Sequence, residues 1–141
     1  MKLKVSRAEM WTATIEDRAG GAADLLEPLA KAGASLEVLI SRRAPQQPGK
    51  GMLLVSPIKG VKVQRAAQEA GFAKAESAHR VRVEGSDKPG ICSKMTRALA
   101  NAGISFRSLS AMAIGTKFVA YLALDTAEDA VKATGVLRKL S

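Results

Sequence analysis

Two stretches of the chain, 70 positions apart, decide its fold. Residues 11–36 are WTATIEDRAGGAADLLEPLAKAGASL, and residues 81–106 are VRVEGSDKPGICSKMTRALANAGISF. Both begin with alternating apolar and polar residues, continue through an Asp-x-x-Gly turn and end in apolar residues at helical spacing. No gap is needed to align them. Because a strand-like and a helix-like period stay in phase across the alignment, the sequence predicts an internal duplication.

Each repeat predicts the same order of elements. A strand leads through the turn into an amphipathic helix, which Gly33 and Gly103 are placed to end. A two-stranded hairpin and a second helix follow, and residues 72–78 supply a closing strand for the first repeat. The first strands are predicted at 10–16 and 80–85, the hairpin strands at 34–43, 52–57, 104–113 and 117–124, and the second helices at about 60–70 and 126–139.

This order is that of the ferredoxin-like split β-α-β arrangement. We therefore predict an α+β fold of two βαββαβ repeats with antiparallel sheets packed side by side. Residues 1–78 form repeat 1 and residues 79–141 form repeat 2. Repeat 2 has no closing strand after its second helix, so its first strand would have an open edge. Lys2–Ser6 alternates apolar and charged residues and is predicted to pair there.

Composition limits the classes of function. Hydrophobic residues make up 47% of the 141 residues and charged residues 25%, as in a folded domain. The single cysteine excludes an internal disulfide and, with a single histidine, argues against a Cys/His zinc site. No apolar run is long enough for a membrane span and no signal peptide is recognisable, so we expect a cytoplasmic protein. We also expect neither a metal nor another cofactor.

The net charge of +9 raises the question of nucleic-acid binding. Residues 1–70 carry a net +4 and residues 71–141 a net +5, and the longest basic run is the pair Arg42-Arg43. Phosphate-binding proteins usually concentrate their cations on one face or in an arm. The even spread favours a solvated basic surface, although folding can still bring the charges together.

The duplicated turn allows two interpretations. In Asp87-Lys88-Pro89-Gly90-Ile91-Cys92, proline suits the start of a helix and glycine lets a ligand approach the backbone. The amides of Gly90, Ile91 and Cys92 are then expected to be free donors at a positive helix end, which suits a carboxylate. The alternative is plain turn chemistry with an acidic cap.

The succession of strand, Asp-Lys-Pro-Gly, a helix ending Ala-Leu-Ala-Asn-Ala-Gly, Ile-Ser-Phe and a hairpin resembles the ACT domain. Residues 79–140 carry the resemblance, and residues 8–78 resemble a more diverged copy. It implies a non-catalytic protein that binds an amino acid and regulates something. A homodimer is implied, with a regulated enzyme or a transcription regulator as protein partner. Chains built only from such repeats include those similar to glycine-cleavage transcriptional regulators.

The resemblance also implies site residues. The ligand carboxylate would meet the turn at Lys88, Pro89, Gly90 and Ile91, and Asp87 would attract its ammonium group. Ser105 stands where many relatives carry an asparagine that holds the ligand. In repeat 1, the equivalent second site would use Asp17, Gly20 and Gly21, without the proline.

Two other classes compete with this interpretation. The opposing one is a nucleic-acid-binding ferredoxin-like protein, favoured by the charge. RNA readers of this topology stack bases on aromatic side chains of their central strands. Here Phe118 and Tyr121 are the only aromatics on a central strand, and their odd spacing places them on opposite faces. A small ferredoxin-like enzyme is the third class, and no constellation of residues supports it.

Overall fold

The computed structural model describes residues 2–76 and 78–140. The chain divides into two compact units. Repeat 1 comprises Glu9–Ala75, and repeat 2 joins Met1–Ala8 to Glu76–Ser141. The start of the chain therefore belongs with the second copy of the fold, and the other copy is inserted between the two parts.

Twelve elements build the two repeats, and their order confirms the α+β class. They are β1 (Lys4–Ala8), β2 (Trp11–Glu16), α1 (Gly21–Lys31), β3 (Val38–Arg43), β4 (Lys50–Ser56), α2 (Val61–Glu69), β5 (Ala73–Lys74), β6 (His79–Ser86), α3 (Ile91–Asn101), β7 (Ser108–Ile114), β8 (Lys117–Leu124) and α4 (Ala127–Arg138). Repeat 1 has the sheet order β3-β4-β2-β5 and repeat 2 the order β1-β6-β8-β7. All neighbouring strands in both sheets pair antiparallel. None of the helices described is long and apolar enough to cross a membrane.

β1 occupies the edge at which Lys2–Ser6 is predicted to pair, and it begins two residues later, at Lys4. It runs antiparallel to β6, with Val5 opposite Val83. Leu3 and Val5 are buried in the core of repeat 2, and the guanidinium of Arg138 donates a hydrogen bond to the carbonyl of Val5 at 2.9 Å. The first residues of the chain are therefore tied to its last helix.

Each repeat has its own apolar core between one face of the sheet and the two helices. Leu29, Leu53 and Val55 are buried in repeat 1. Trp11 is buried with them on the central strand β2, so Phe118 and Tyr121 are not the only aromatics on a central strand, contrary to the expectation from the sequence. In repeat 2, Phe118 is buried in the core, whereas Tyr121 lies on the opposite face of β8 and accepts a hydrogen bond from Arg82 at 3.1 Å. Aliphatic side chains dominate the core of repeat 2, among them Val81, Val83, Met95, Leu99, Leu122, Leu124 and Leu137.

The hairpin strands β3 and β7 begin about four residues later than the sequence predicts. Gly33 ends α1 at a φ of 93°, and the amide of Ala34 donates back to the carbonyl of Leu29 at 3.0 Å. Gly103 and Ile104 repeat this geometry at the end of α3. These are Schellman caps, and they use the amides that an earlier strand would need.

The closing strand of repeat 1 is also shorter than predicted. Only Ala73–Lys74 pair with β2, instead of the whole of Phe72–Ala78. The amide of Phe72 is used by the cap of α2, since it donates to the carbonyl of Ala67 at 2.8 Å, and its ring is buried in the core. Ser77, near the end of the predicted strand, lies outside the described residues.

Candidate functional site

The two duplicated turns share one backbone geometry. In each, a glycine with positive φ precedes the helix: Gly20 at φ 89° and ψ −10°, and Gly90 at φ 86° and ψ 1°. The next amide closes the turn, from Gly21 to the carbonyl of Arg18 at 3.1 Å and from Ile91 to that of Lys88 at 3.2 Å. These are type II turns, which require positive φ at the third residue and favour proline at the second, as Pro89 provides.

This geometry corrects one expectation. The amide of Ile91 is not a free donor because the turn uses it. The following amides, of Cys92 and Ser93, have no partner in the described part of the chain, and no side chain caps the helix. Of the amides expected to be free, that of Cys92 is free and that of Ile91 is not, and Ser93 adds a free amide one residue further along the helix. The equivalent amides in α1 belong to Ala22 and Ala23.

Both turn aspartates are fixed beside the hairpin of their own repeat. The amide of Asp17 donates to the carbonyl of Gly49 at 3.0 Å, and that of Asp87 to the carbonyl of Thr116 at 2.8 Å. Each turn thus lies at the same end of its sheet as the loop between the hairpin strands. The side chains of Asp17 and Asp87 are exposed and can reach a ligand there.

Ser105 lies at the other end of repeat 2. β6 and β7 both pair antiparallel with β8, so they run in the same direction, with Ser108 level with Arg80 and Ile114 level with Ser86. Ser105 precedes Ser108, which places it roughly 20 Å along the sheet from Asp87. The structure does not bring these two residues together within one repeat.

A pocket of about 380 Å³ adjoins the turn of repeat 1. Asp17 and Arg18 line it from the turn, Arg42 and Arg43 from the end of β3, and Gly51 from β4. The sequence analysis noted the two arginines only as a basic pair and did not consider Gly51. The signal that could have identified them is their position: the last residues of the second strand lie beside the turn in this topology.

Gly51 lines this pocket without a side chain of its own. It pairs with Ile15, whose side chain lies 3.1 Å from where a Cβ at residue 51 would be. In repeat 2 the large and small residues are exchanged: Gly85 pairs with Phe118, which is buried in the core. The larger side chain of this pair therefore belongs to the first strand, β2, in repeat 1 and to the hairpin strand β8 in repeat 2.

The pocket carries charges of both signs. Arg43 Nε donates to Asp17 Oδ2 at 2.9 Å, and Arg42 forms no ion pair with any residue described. Glu16 accepts a hydrogen bond from Lys50 at 2.9 Å, and this bond, together with the lysine charge, lowers the pKa of the carboxyl group. Arg43 is level with Gly51, on the face of the sheet that carries the helices, whereas Arg42 is level with Met52, on the opposite face. The site therefore offers the guanidinium of Arg43 and helix amides to an anion, and the carboxylate of Asp17 to a cation.

The corresponding positions of repeat 2 are apolar. At the 70-residue offset, Met112 and Ala113 take the places of Arg42 and Arg43. The two turns share their backbone but differ in the strand beside them. Binding at the turn of repeat 2 would rest on Asp87 and the free helix amides, whereas repeat 1 adds a guanidinium.

Comparisons with known proteins agree with this architecture. Residues 81–141 match the model of the ACT domain family. Protein BT0572 from Bacteroides thetaiotaomicron superposes with a TM-score of 0.75 at 17% identity, over 96% of this chain and 99% of that one. The ligand-free regulatory subunit of aspartate kinase from Thermus thermophilus gives 0.62 at 17% identity, over 97% of both chains.

The regulatory subunit of aspartate kinase from Thermus flavus is a further structural neighbour, with a TM-score of 0.55 at 18% identity over 96% of this chain and 95% of that one. No curated protein has a significantly similar sequence. At these identities the structural likeness establishes the fold, and the family match carries the assignment. Residues 81–141 form an ACT domain, and repeat 1 is a second copy of the same ferredoxin-like fold.

Proposed function

We propose that this chain is a regulatory, non-catalytic protein that binds an amino acid at the turns of its repeats and acts through a protein partner or through its own assembly. The ACT family match and the two regulatory subunits among the structural neighbours support a regulatory role. A regulatory domain transmits its bound state through a change in affinity for another molecule.

One observation carries the proposal: the pocket of about 380 Å³ beside Asp17 is lined by acidic and basic groups within one small space. A free amino acid is a zwitterion and needs both. Arg43 and the amides of Ala22 and Ala23 suit its carboxylate, because a guanidinium and a helix N-terminus both favour anions. Asp17 suits its ammonium group.

The turn of repeat 2 is the second proposed site. Asp87 and the turn residues Lys88, Pro89 and Gly90 offer the same backbone, with the amides of Cys92 and Ser93 as donors. Ser105 lies too far from this turn to contribute to its site. Because Ala113 stands in the place of Arg43, we expect weaker binding here.

The test is calorimetric titration of the common amino acids into the full chain, into Arg43→Ala and into Asp87→Ala. Arg43→Ala introduces the residue that repeat 2 carries. We expect it to weaken binding at least about tenfold, since a hydrogen bond to a charged group contributes about 1.5–3 kcal/mol. Asp87→Ala should remove only a second, weaker phase.

Arg97→Ala is the matched control, because Arg97 is exposed on α3 and forms no ion pair among the residues described. It should bind like the unmodified chain. Equal affinity in all three variants would place the ligand elsewhere. Absence of heat with every amino acid, confirmed by an unchanged melting temperature, would contradict amino-acid binding itself.

A further inference from the structure

A groove between α1 and α2 is a second concave surface of repeat 1, separate from the pocket at the turn. Its volume is about 700 Å³. Pro28 and Ala32 line it from α1, and Ala66 and Ala70 from α2. Val61, the first residue of α2, also lines the groove and has 73% of its surface exposed. The floor is therefore apolar and open to solvent.

The duplicated helices show that the fold does not require this groove. At the 70-residue offset, Val136 and Leu140 of repeat 2 correspond to Ala66 and Ala70. Both larger side chains pack against the core of repeat 2. The groove in repeat 1 thus results from two alanines at positions where the same architecture accommodates a valine and a leucine.

The rim of the groove is basic. Lys31, Lys62 and Arg65 are exposed on it, against a single acidic residue, Glu69. None of the three cations forms an ion pair within residues 2–76 and 78–140. Their charges are therefore available to carboxylates of another molecule, at both sides of the apolar floor.

We propose that this groove binds an amphipathic helix of a different, acidic protein, with small apolar residues on the floor and Glu or Asp side chains at Lys31, Lys62 and Arg65. Two packed helices present ridges and grooves that a third helix can enter. A second copy of this chain is the less suitable occupant, because each copy carries a net charge of +9. This surface is distinct from the amino-acid sites and goes beyond them.

The probes are three synthetic helical peptides of about 18 residues, long enough to form a helix on binding. They share a seam of Ala and Leu at i, i+3, i+4 and i+7, and their flanking positions are all Glu, all Gln or all Lys. Fluorescence anisotropy with the full chain, without any amino acid, measures affinity. We expect saturable binding of the Glu peptide, at least about tenfold tighter than that of the Gln peptide and weakened by salt.

Two variants test the two features of the groove. Lys62→Glu with Arg65→Glu reverses the rim and should lower the affinity for the Glu peptide at least about tenfold. Ala66→Val with Ala70→Leu gives the floor the residues of repeat 2 and should abolish saturable binding. Lys132→Glu with Lys139→Glu is the control, because it makes the same change in net charge on α4 and its C-terminal end. It should leave the affinity nearly unchanged.

Three results would overturn the proposal: no saturable binding of the Glu peptide, equal binding of the Gln peptide, or an equal loss in the control. Ala66→Val with Ala70→Leu keeps the test valid if Lys62→Glu with Arg65→Glu proves unstable in a thermal melt. Because no amino acid is present in this assay, its failure leaves the proposed amino-acid sites untouched.

Discussion

Gly21 shows how a single residue fixes the turn of repeat 1. A Cβ at this position would lie 2.1 Å from the carbonyl oxygen of Glu16, which is backbone and cannot move aside. We expect Gly21→Ala to lower the free energy of unfolding by about 2–4 kcal/mol, because the helix start must shift away from the strand. Chemical denaturation measures this.

Gly135→Ala is the matched control for that change. Gly135 lies within α4, and nothing lies within 4 Å of where its Cβ would be. In an unobstructed helix the same substitution should stabilise the protein by about 0.5–1 kcal/mol. Equal effects at the two glycines would show that the contact with Glu16 is relieved without cost.

Glu84 should make stability depend on pH. Arg82 Nη1 donates to its carboxylate at 2.9 Å, and this bond, with the arginine charge, lowers the pKa of Glu84. The unfolded chain, with an ordinary carboxyl pKa, binds the proton more readily. The stabilisation from this pair is therefore present above the unfolded pKa and is lost as pH falls through the folded value.

Urea unfolding of the unmodified chain and of Glu84→Gln over the acid range tests this. The difference in free energy of unfolding between them should be largest near neutral pH and shrink steadily in acid. In a chain that carries Arg82→Met, Glu84→Gln should change the free energy of unfolding little at any pH, because Arg82→Met removes the donor of the same bond. If this difference stays constant over the pH range in which carboxyl groups titrate, the ionisation of Glu84 contributes nothing to the stability of the protein.

At the scale of the element, β1 tests whether the first residues of the chain are part of repeat 2. Val5 is 4% exposed and faces the core. Val5→Asp should lower the free energy of unfolding by about 3 kcal/mol or more, because it loses a buried apolar side chain and places a charge in the core. Val131→Asp makes the same change at a residue 65% exposed on α4, and should cost less than about 1 kcal/mol. Similar losses in both would argue against β1 as a core strand.

Elements are also the scale at which sequence and structure agree best. Apolar periodicity predicts the strands and helices because the same spacing that makes a pattern visible also builds one buried face. The predicted starts of β3 and β7 were wrong because the amides of Ala34 and Ile104 donate to the last carbonyls of the preceding helices. Such capping leaves no periodic signal in the sequence. The pocket beside Asp17 could not be predicted from its turn alone. It depends on a glycine and two arginines from β3 and β4, which only the sheet register brings together.

At the scale of the whole molecule, β7 is the feature that favours a homodimer. It is an edge strand of its sheet, and its outward-facing Met112 and Ile114 are 56% and 77% exposed. Exposed apolar edge strands invite pairing with another chain. The net charge of +9 opposes the approach of two copies. We therefore propose a dimer through β7 that salt strengthens, because salt screens the repulsion and leaves apolar burial in place.

Light scattering on the eluting protein decides this. We expect a dimer at micromolar concentration whose fraction rises with salt, and a monomer for Ile114→Lys, which puts a charge on the edge. Val131→Lys adds the same charge at an exposed aliphatic residue of α4 and should remain dimeric. The salt response separates this contact from the groove of repeat 1, where salt should weaken the acidic peptide. A monomeric unmodified chain, or a dimer that survives Ile114→Lys, would mean that β7 is not the contact.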